Sequence, residues 1–346
     1  MHNWDLELAL TYHEETKHSY ESVYRSHHFL DRATQPRPFK VYSTLEPLPL
    51  PTVLPVTDLP ALQVLSGASG APPAVSIPTL PDLAYVLFYA AGVTKRRMYP
   101  GYGEMLFRAA ACTGALYHID LYLAVCDLPD LRAGLYHFDP KDFALRQLRQ
   151  GDYRSVLVQA SGANPALRTA PILLIVTDTF WRNAWKYRAR AYRHAFWDAG
   201  TILANLCAAA QARDMSTHLA LGFVDATVNG LLDLDTQREV ALCLVGLGDG
   251  IPAPAVVPTF APLNLELLPP AAEELDYPAM RLMHAASALE TPEEVEEWRG
   301  AVPETTLAPP SGTVFPLRAE VGDALPAATF EAVIRRRGST RRFAPR

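Results

Sequence analysis

Hydrophobic and polar positions recur along the chain with two periods, one helical and one extended. Between Leu83 and Ala90, apolar residues recur three and four positions apart, so we predict a helix over 82–91 that Gly92 ends. Farther along, the run APILLIVTDT is continuously apolar enough to lie in the middle of a sheet. The pattern therefore predicts three strands, at 118–125, 170–179 and 240–248.

Two stretches carry stronger local patterns. GLYHFDPKDFALRQL, at 134–148, joins two alternating runs through Asp-Pro-Lys-Asp, which predicts a β-hairpin. YRHAFWDAGTILANLCAAAQARDM, at 192–215, predicts a long helix that is apolar on most sides, typical of a core or a subunit interface. Gly200 in its middle costs about 1 kcal/mol relative to alanine, so we expect a close approach there. Helices and strands mix without a strict βαβ rhythm, which predicts an α+β fold.

Composition divides the chain of 346 residues into parts of different character. The 30 prolines cluster on both sides of a central region that is rich in periodic apolar segments. The stretch TPEEVEEW predicts the start of a short helix in the second proline-rich zone. We predict four parts. Residues 1–81 form a helical and extended segment with a proline-rich wrap, and residues 82–250 form a compact domain. Residues 251–325 form a proline-rich acidic connector with short helices, and residues 326–346 start a second, incomplete unit.

Charge and cysteine content narrow the classes of function. The formal net charge of −6 argues against a nucleic-acid binder. The four cysteines are dispersed without a C-x-x-C pair, so neither a zinc site nor a disulfide framework is indicated. No stretch approaches the roughly 20 uncharged apolar residues of a membrane span, and the N-terminus lacks the order of a signal peptide. We expect a cytoplasmic protein that binds neither nucleic acid nor membrane.

Two segments could carry chemistry. RAAACTGALYHIDLYL, at 108–123, is a small-residue loop that leads into a strand. A flat ring could approach such a loop closely, although small-residue turns before strands are also common without a ligand. In WRNAWKYRARAYRHAF, at 181–196, Lys186 and Tyr187 lie among aromatic and cationic residues. Such surroundings disfavour the ammonium form of a lysine, which is how a base working near neutral pH is made. The alternative is a solvated basic helix start whose lysine extends past aromatic surface.

Together these segments resemble the nitroreductase superfamily and, within it, the SagB-type dehydrogenases. FEAVIRRRGSTRRFAP is similar to the arginine-rich R-x-S-x-R-x-F turn that opens such a domain. YHEETKHSYESV, AAGVTKRR, CTGALYHIDLYL, GLYHFDP, GDYR, WKYRARAYRHAFWDAGTILANL and FVDATVNGLLDLD follow in the expected order. The resemblance implies a nitroreductase-like α+β fold with a central, mainly antiparallel sheet flanked by helices.

The resemblance also implies FMN as the cofactor. In the family, the arginines and serine of the turn hold the phosphate and ribityl chain, the small-residue loop lies beside the flavin ring, and a Lys-Tyr pair is implicated in catalysis. The expected cofactor-binding residues are Gly114, Ala115, Asn205, Arg335, Ser339 and Arg341, and the expected catalytic residues are Lys186 and Tyr187. No metal is expected.

The chain departs from the family pattern in two places. The family's P-S-A-G-A-L-Y-P loop corresponds to 111–118, where both prolines and the serine are replaced. The stretch 43–81 has no arginine, so the phosphate-binding turn is missing before the helix at 82–91. A tandem protein explains this: the first unit is degenerate there, and a second unit begins at Arg335, of which this sequence holds only the start.

Three functions follow as expectations. The first is an FMN-dependent oxidoreductase of SagB type that oxidises azoline rings in peptide natural products, acts on a small-molecule or modified-peptide substrate, and forms a homodimer through the long apolar helix. The second is a degenerate, non-catalytic scaffold or peptide-binding partner, favoured by the missing turn and altered loop. The third is a generic NAD(P)H-dependent nitro- or quinone reductase, which fits the superfamily but not the N-terminal segment.

Overall fold

The computed structural model describes residues 5–24, 28–67, 75–101, 103–300, 311–316, 326–339 and 343. Its strands are β1 Pro47–Pro49, β2 Val93–Tyr99, β3 Gly103–Arg108, β4 Ile119–Val125, β5 Gly134–Asp139, β6 Ala144–Gln150, β7 Ile172–Thr179, β8 Thr217–Ala220 and β9 Glu239–Leu247. Its α-helices are α1 Leu6–Thr16, α2 Tyr20–Tyr24, α3 Ala61–Ser66, α4 Leu80–Ala91, α5 Arg154–Ala160, α6 Phe180–Tyr187, α7 Ala191–Gln211, α8 Asp225–Leu232, α9 Pro278–Ser287, α10 Pro292–Gly300 and α11 Phe330–Arg336.

A seven-stranded sheet forms the centre, in the order β1-β6-β5-β4-β7-β9-β8. Every neighbouring pair in it is antiparallel. The apolar run that predicts a central strand is β7, which is buried along its whole length between β4 and β9. The strand predictions at 118–125 and 240–248 and the hairpin of β5 and β6 are confirmed.

Helices cover both faces of the sheet. Successive residues of a strand point to opposite faces, and both faces of this sheet are apolar. Leu121 and Leu123 of β4 belong to the core that α4 and α7 complete. Tyr122 and Ala124 of the same strand point to the opposite core, which α5 and α8 complete. The α+β architecture that the sequence pattern predicts is therefore confirmed.

Helix α4 begins with a capping box. The Thr79 hydroxyl accepts a hydrogen bond from the Asp82 N–H, and the Asp82 carboxylate accepts one from the Thr79 N–H. The same carboxylate pairs with Arg213, just beyond α7, at 2.7 Å. One acidic side chain thus starts α4 and fastens it to the end of α7.

Within the described part of this chain, no other segment closely approaches Gly200, so a close approach by a second subunit stays a prediction. Gly200 is exposed, and no atom lies within 4 Å of the position that a Cβ would occupy. The neighbouring Phe196 and Trp197 are 47% and 52% exposed. One stripe of α7 therefore remains open while the rest of the helix packs in the core.

Strands β2 and β3 form a two-stranded antiparallel ribbon outside the main sheet. The sequence pattern does not predict it, because its apolar and charged residues follow no clear alternation. Arg108 ends β3 and leads directly into the small-residue loop. The ribbon therefore extends outward from the region that the candidate site occupies.

Residues 326–339 pack onto the N-terminal part of the chain. The Ala61 N–H donates to the Ala328 carbonyl, and the Phe330 N–H donates to the Leu59 carbonyl, both at 3.0 Å. Phe330 and Ile334 are buried in the same core as α4 and α7. The division of the chain into four parts stays a prediction, but α11 contributes to the core of the main unit.

Within the part of the chain that the structure describes, no helix is both long and apolar enough to cross a membrane.

Candidate active site

A cleft of about 1070 Å³ brings together three distant parts of the chain. These are the small-residue loop at 111–117, the ribbon β2–β3, and residues 336–339 at the end of α11 and just beyond it, with Lys186 and Arg32 completing the wall. Of the eight residues that the sequence predicts for the site, the structure places Gly114, Ala115, Lys186 and Ser339 in this lining. Arg341 lies outside the described residues.

The loop follows a tightly turned path. Gly114, Ala115 and Tyr117 all have positive φ, at 67°, 55° and 52°. Positive φ is unfavourable for residues other than glycine, and such backbone conformations concentrate at functional sites. A Cβ on Gly114 would lie 2.9 Å from the hydroxyl oxygen of Tyr187. The bare glycine backbone is therefore what allows the Tyr187 ring to lie against the loop.

Lys186 and Tyr187 end α6 beside this loop. Lys186 lines the cleft, and its Nζ lies 5.3 Å from the centre of the Tyr187 ring. The ring meets His194 edge to face at 4.6 Å. Burial, followed by the nearby charges of Cys112 and Asp198, raises the pKa of Tyr187. The phenol is therefore protonated at neutral pH and can donate a hydrogen bond.

Asp198 on α7 holds the loop in place. Its carboxylate accepts hydrogen bonds from the Thr113 N–H and hydroxyl, both at 2.8 Å, and from the Cys112 thiol at 3.1 Å. The Cys112 sulfur in turn accepts the Tyr117 N–H at 3.0 Å. Burial raises the pKa of Asp198, but the hydrogen bonds it accepts outweigh burial and hold the pKa below its usual value.

His118 lies fully buried between two carboxylates. Its Nδ1 is 2.5 Å from Asp178 Oδ1, and its Nε2 is 2.8 Å from Asp198 Oδ2. Burial alone would lower the pKa of His118, but the Asp178 charge and the two hydrogen bonds raise it well above its usual value. The imidazolium thus links β7 to α7 behind the loop, a connection that no spacing in the sequence indicates.

The ligand atoms of Cys112, His118 and Asp198 lie within 4.8 Å of one another, close enough to hold a metal ion. No motif in the sequence indicates such a group, because the three residues are dispersed. Hydrogen bonds already join Asp198 to the other two side chains. In this structure, these hydrogen bonds are the contacts through which the three side chains support the loop.

A neutral histidine supports the Tyr187 ring from the other side. His194 Nδ1 is 2.8 Å from Asn183 Oδ1. Burial, helped by the positive charge of Arg190, lowers the pKa of His194 to about 4. His194 is therefore uncharged at neutral pH, and it packs against Tyr187 as an aromatic wall.

The arginines at the C-terminal end of α11 divide between two roles. Arg335 Nε donates to the Tyr89 hydroxyl at 3.2 Å, and its guanidinium lies 4.9 Å from the centre of the Phe88 ring. Arg337 Nε donates to the Ala109 carbonyl at 3.0 Å and lines the cleft. Arg335 is thus not among the cleft residues, contrary to the sequence-based assignment. The R-x-S-x-R spacing starting at Arg337 could have identified the cleft arginine.

Asn205 does not reach the cleft either. Its side-chain amide donates to the Tyr89 carbonyl of α4 at 3.1 Å. Because this bond joins α7 to α4 near the end of α4, Asn205 stabilises the helix pair in this structure.

The described lining of the cleft is strongly cationic. It contains no carboxylate, although the whole chain is acidic. Arg108, at the inner end of the ribbon, is only 2% exposed, and its Nε has no hydrogen-bond partner. Burial lowers the pKa of Arg108 to about 10, so the guanidinium remains charged at neutral pH. The cations are Arg32, Lys95, Arg97, Arg108, Lys186, Arg336 and Arg337.

Such a cleft fits an anionic, flat, partly apolar ligand. Gly114 and Tyr117 both line the cleft, together with the cationic residues. These features fit a phosphate-bearing aromatic cofactor, since pockets of this kind combine apolar walls with a few placed polar groups.

Comparison with known proteins relates part of this chain to one protein family. Residues 108–249 match the model of the Nitroreductase family. This part of the chain, less than half of its length, is therefore similar to nitroreductase-family domains, an oxidoreductase class whose members typically bind flavin. The matched region includes the small-residue loop, the Lys-Tyr pair and Asp198.

Individual relatives agree with that class. The protein MJ1384 of Methanocaldococcus jannaschii, which carries a provisional nitroreductase name, is 25% identical over 170 residues, 49% of this chain and 80% of its own length. The microcin B17-processing protein McbC of Escherichia coli is 30% identical over 139 residues, 38% of this chain and 50% of McbC. This chain therefore matches only half the length of McbC.

A solved structure extends the likeness to most of the chain. A crystal structure from Anabaena variabilis, also provisionally named a nitroreductase, has 27% identity and a TM-score of 0.62. The match covers 82% of this chain and 55% of that chain. The nitroreductase-like fold that the sequence resemblance implies is confirmed.

Proposed function

We propose that this protein is an FMN-dependent oxidoreductase of SagB type that oxidises azoline rings in a modified peptide. The observation that carries the proposal is the convergence of Gly114, Lys186 and Ser339 on one cationic cleft. The similarity to a microcin-processing protein supports the choice of a peptide substrate. The similarity to nitroreductase-family domains supports the choice of redox chemistry.

The residues present fit FMN at both of its ends. Gly114 and Ala115, whose small size lets a flat ring approach the backbone, would lie beside the ring. Ser339 and Arg337 would face the phosphate. The assignment of Arg341, which lies outside the described residues, stays a prediction. When bound, the flavin supplies the hydride acceptor for the oxidation.

The remaining chemistry belongs to the chain. Converting an azoline to an azole removes one hydride and one proton from the ring. We assign removal of the carbon-bound proton to Lys186 Nζ, because Lys186 lines the cleft. Tyr187 is protonated and would orient the ring by donating a hydrogen bond. Asp198 keeps the loop in register through Thr113 and Cys112.

We further propose that the protein forms a homodimer through the open stripe of α7. Phe196 and Trp197 are large, apolar and about half exposed, and Gly200 and Ala204 continue their side of the helix. The small residues would let a second helix approach closely. Size-exclusion chromatography with light scattering tests this: Trp197→Glu should convert a dimer into a monomer, and a wild-type monomer at micromolar concentration would contradict it.

A non-catalytic scaffold is the second candidate, and a specific observation favours it. Cys112 and His118, which replace the family's serine and its second proline, are hydrogen-bonded to Asp198 instead. A scaffold would keep the fold and bind peptide without flavin.

Flavin uptake separates these two functions. The purified full chain should be yellow, or become yellow with added FMN, and heat should release the cofactor. A protein that stays colourless in excess FMN supports the scaffold.

Turnover of a thiazoline-containing peptide then tests the base. Lys186→Ala should retain FMN and lose at least about 100-fold in kcat, the usual contribution of a general base. Lys17→Ala, at an exposed ion pair on α1, is the matched control and should keep wild-type turnover. Unchanged turnover in Lys186→Ala would remove the proposed base.

A further inference from the structure

The two faces of the β2–β3 ribbon differ in their chemistry. On the face that lines the cleft, Lys95 is directly opposite Phe107, and Arg97 is directly opposite Met105. On the other face, Arg96 pairs with Glu104 at 3.6 Å. The cleft face therefore carries cations among apolar groups, while the cation of the outer face has an acidic partner.

The cleft face extends well beyond the buried end of the site. Strands rise about 3.4 Å per residue, so the level of Arg97 lies roughly 10 Å from Arg108, and that of Tyr99 roughly 17 Å. The charged positions Lys95 and Arg97 are two residues apart on one strand, hence about 7 Å apart. This spacing matches alternate side chains of an extended peptide.

The ribbon also offers backbone hydrogen-bonding groups. Strand β2 pairs with β3 along one edge, and within the described ranges no other strand pairs with its second edge. An exposed strand edge is a template for an added strand, in which the backbone supplies affinity and alternate side chains supply specificity.

The positive charge of the cleft indicates which kind of peptide would add to the free edge of β2. The described lining of the cleft contains no carboxylate, and both Lys95 and Arg97 are exposed within it. Acidic side chains at alternate positions of an added strand would lie beside these two cations, and the intervening side chains would point to the outer face of the ribbon.

We propose that the ribbon binds an acidic, extended segment of the peptide substrate as a third strand along β2, and thereby delivers the reacting ring to the inner end of the cleft. This inference rests on the proposed peptide oxidation for its chemistry. It assigns Lys95 and Arg97 to the peptide, whereas Ser339 and Arg337 are assigned to the cofactor.

Fluorescence anisotropy of the full chain with a labelled peptide tests the ribbon. The probe alternates Glu with Val, and its matched controls replace every Glu by Lys or place Pro at alternate positions. The acidic probe should bind, its affinity should fall as salt is raised, and both control peptides should bind at least about fivefold more weakly.

Protein variants locate the contact. Lys95→Ser with Arg97→Ser should weaken binding of the acidic probe about five- to tenfold, as expected for two exposed charge pairs. Arg96→Ser, on the outer face of the same strand, should change it less than twofold. Equal losses in the two variants, or no binding of the acidic probe by the wild type, would overturn the ribbon site.

FMN titration of the same variants separates this inference from the proposed function. The double variant should take up FMN like the wild type. A loss of FMN binding in it would assign the two cations to the cofactor and overturn the proposal. A wild-type protein that binds the acidic probe but never FMN would leave the peptide site standing and remove the oxidoreductase function.

Discussion

His118 Nε2 lies 2.8 Å from Asp198 Oδ2, at the centre of the network that supports the small-residue loop. Cys112 and Thr113 bind the same carboxylate. All three partners occupy positions where the chain departs from the family's loop pattern. These substitutions therefore act together. Hydrogen bonds to Asp198 on α7 take the place of the rigidity that proline gives the family's loop.

Removing the Asp198 charge should destabilise the protein. Asp198→Asn keeps the shape but leaves the buried His118 imidazolium with one carboxylate, so we expect the free energy of unfolding to fall by about 3 kcal/mol. Urea unfolding followed by circular dichroism measures it. Glu14→Gln, at an exposed ion pair, is the control and should be indistinguishable from wild type. A loss no larger than that of the control would show that the network contributes little.

The contribution of His118 should depend on pH in a defined direction. Its folded pKa is raised above the unfolded value of about 6.5. The stabilisation by the imidazolium is therefore complete below pH 6.5 and declines as the pH rises toward the folded pKa. We expect the difference in unfolding free energy between wild type and His118→Gln to be constant below pH 6.5 and to shrink above it. A difference that grows above pH 6.5 would contradict the assignment.

Gly114 should tolerate no side chain because of Tyr187. Gly114→Ala adds a methyl 2.9 Å from the Tyr187 hydroxyl in addition to the strain of φ at 67°. Gly67 has the same φ with nothing within 4 Å of its Cβ position, so Gly67→Ala measures the backbone strain alone. We expect Gly114→Ala to cost about 1–3 kcal/mol more than Gly67→Ala in thermal or urea unfolding.

The double variant isolates the steric contact. Adding Tyr187→Phe removes the nearest oxygen, so it should restore part of the stability that Gly114→Ala loses. If the two substitutions are strictly additive, Gly114 and Tyr187 do not press against each other.

Glu331 should fasten α11 to the main unit. Its Oε1 accepts hydrogen bonds from the Thr57 hydroxyl at 2.6 Å and from the Tyr85 hydroxyl at 2.8 Å. Glu331→Ala leaves these donors without their partner, so we expect about 2 kcal/mol less stability and faster hydrogen exchange in α11. Val333→Ala, at a side chain 36% exposed on the same helix, is the control. Unchanged exchange in α11 would mean that apolar contacts alone hold it.

Much of the fold follows from local patterns. Strand β7 is buried along its length in the structure, and its nearly continuous apolar sequence predicts that place. The β5–β6 hairpin depends on a turn whose Asp139 accepts the Lys141 N–H at 3.0 Å, a contact between near neighbours. The sequence pattern did not predict the β2–β3 ribbon, because the position of the ribbon depends on the cleft that it lines rather than on a buried face.

The candidate site was predictable only in part. Motif spacing identified Lys186 and Gly114, which line the cleft together. It assigned Arg335 and Asn205 to the cofactor, whereas both contact Tyr89 of α4 instead. Spacing along a helix does not say which neighbour a side chain will meet, so these two positions were settled by helix packing.

By itself, the sequence determined the order and type of the main elements, because hydrophobic period and turn chemistry act over a few residues. Tertiary structure decided what those elements bring together. The carboxylates of Asp178 and Asp198 close on His118 from β7 and α7, and Glu331 meets Thr57 across more than 270 positions of chain. Such pairings form only when the core packs, because the free energy that selects them comes from burial and mutual charge, which no short stretch of sequence contains.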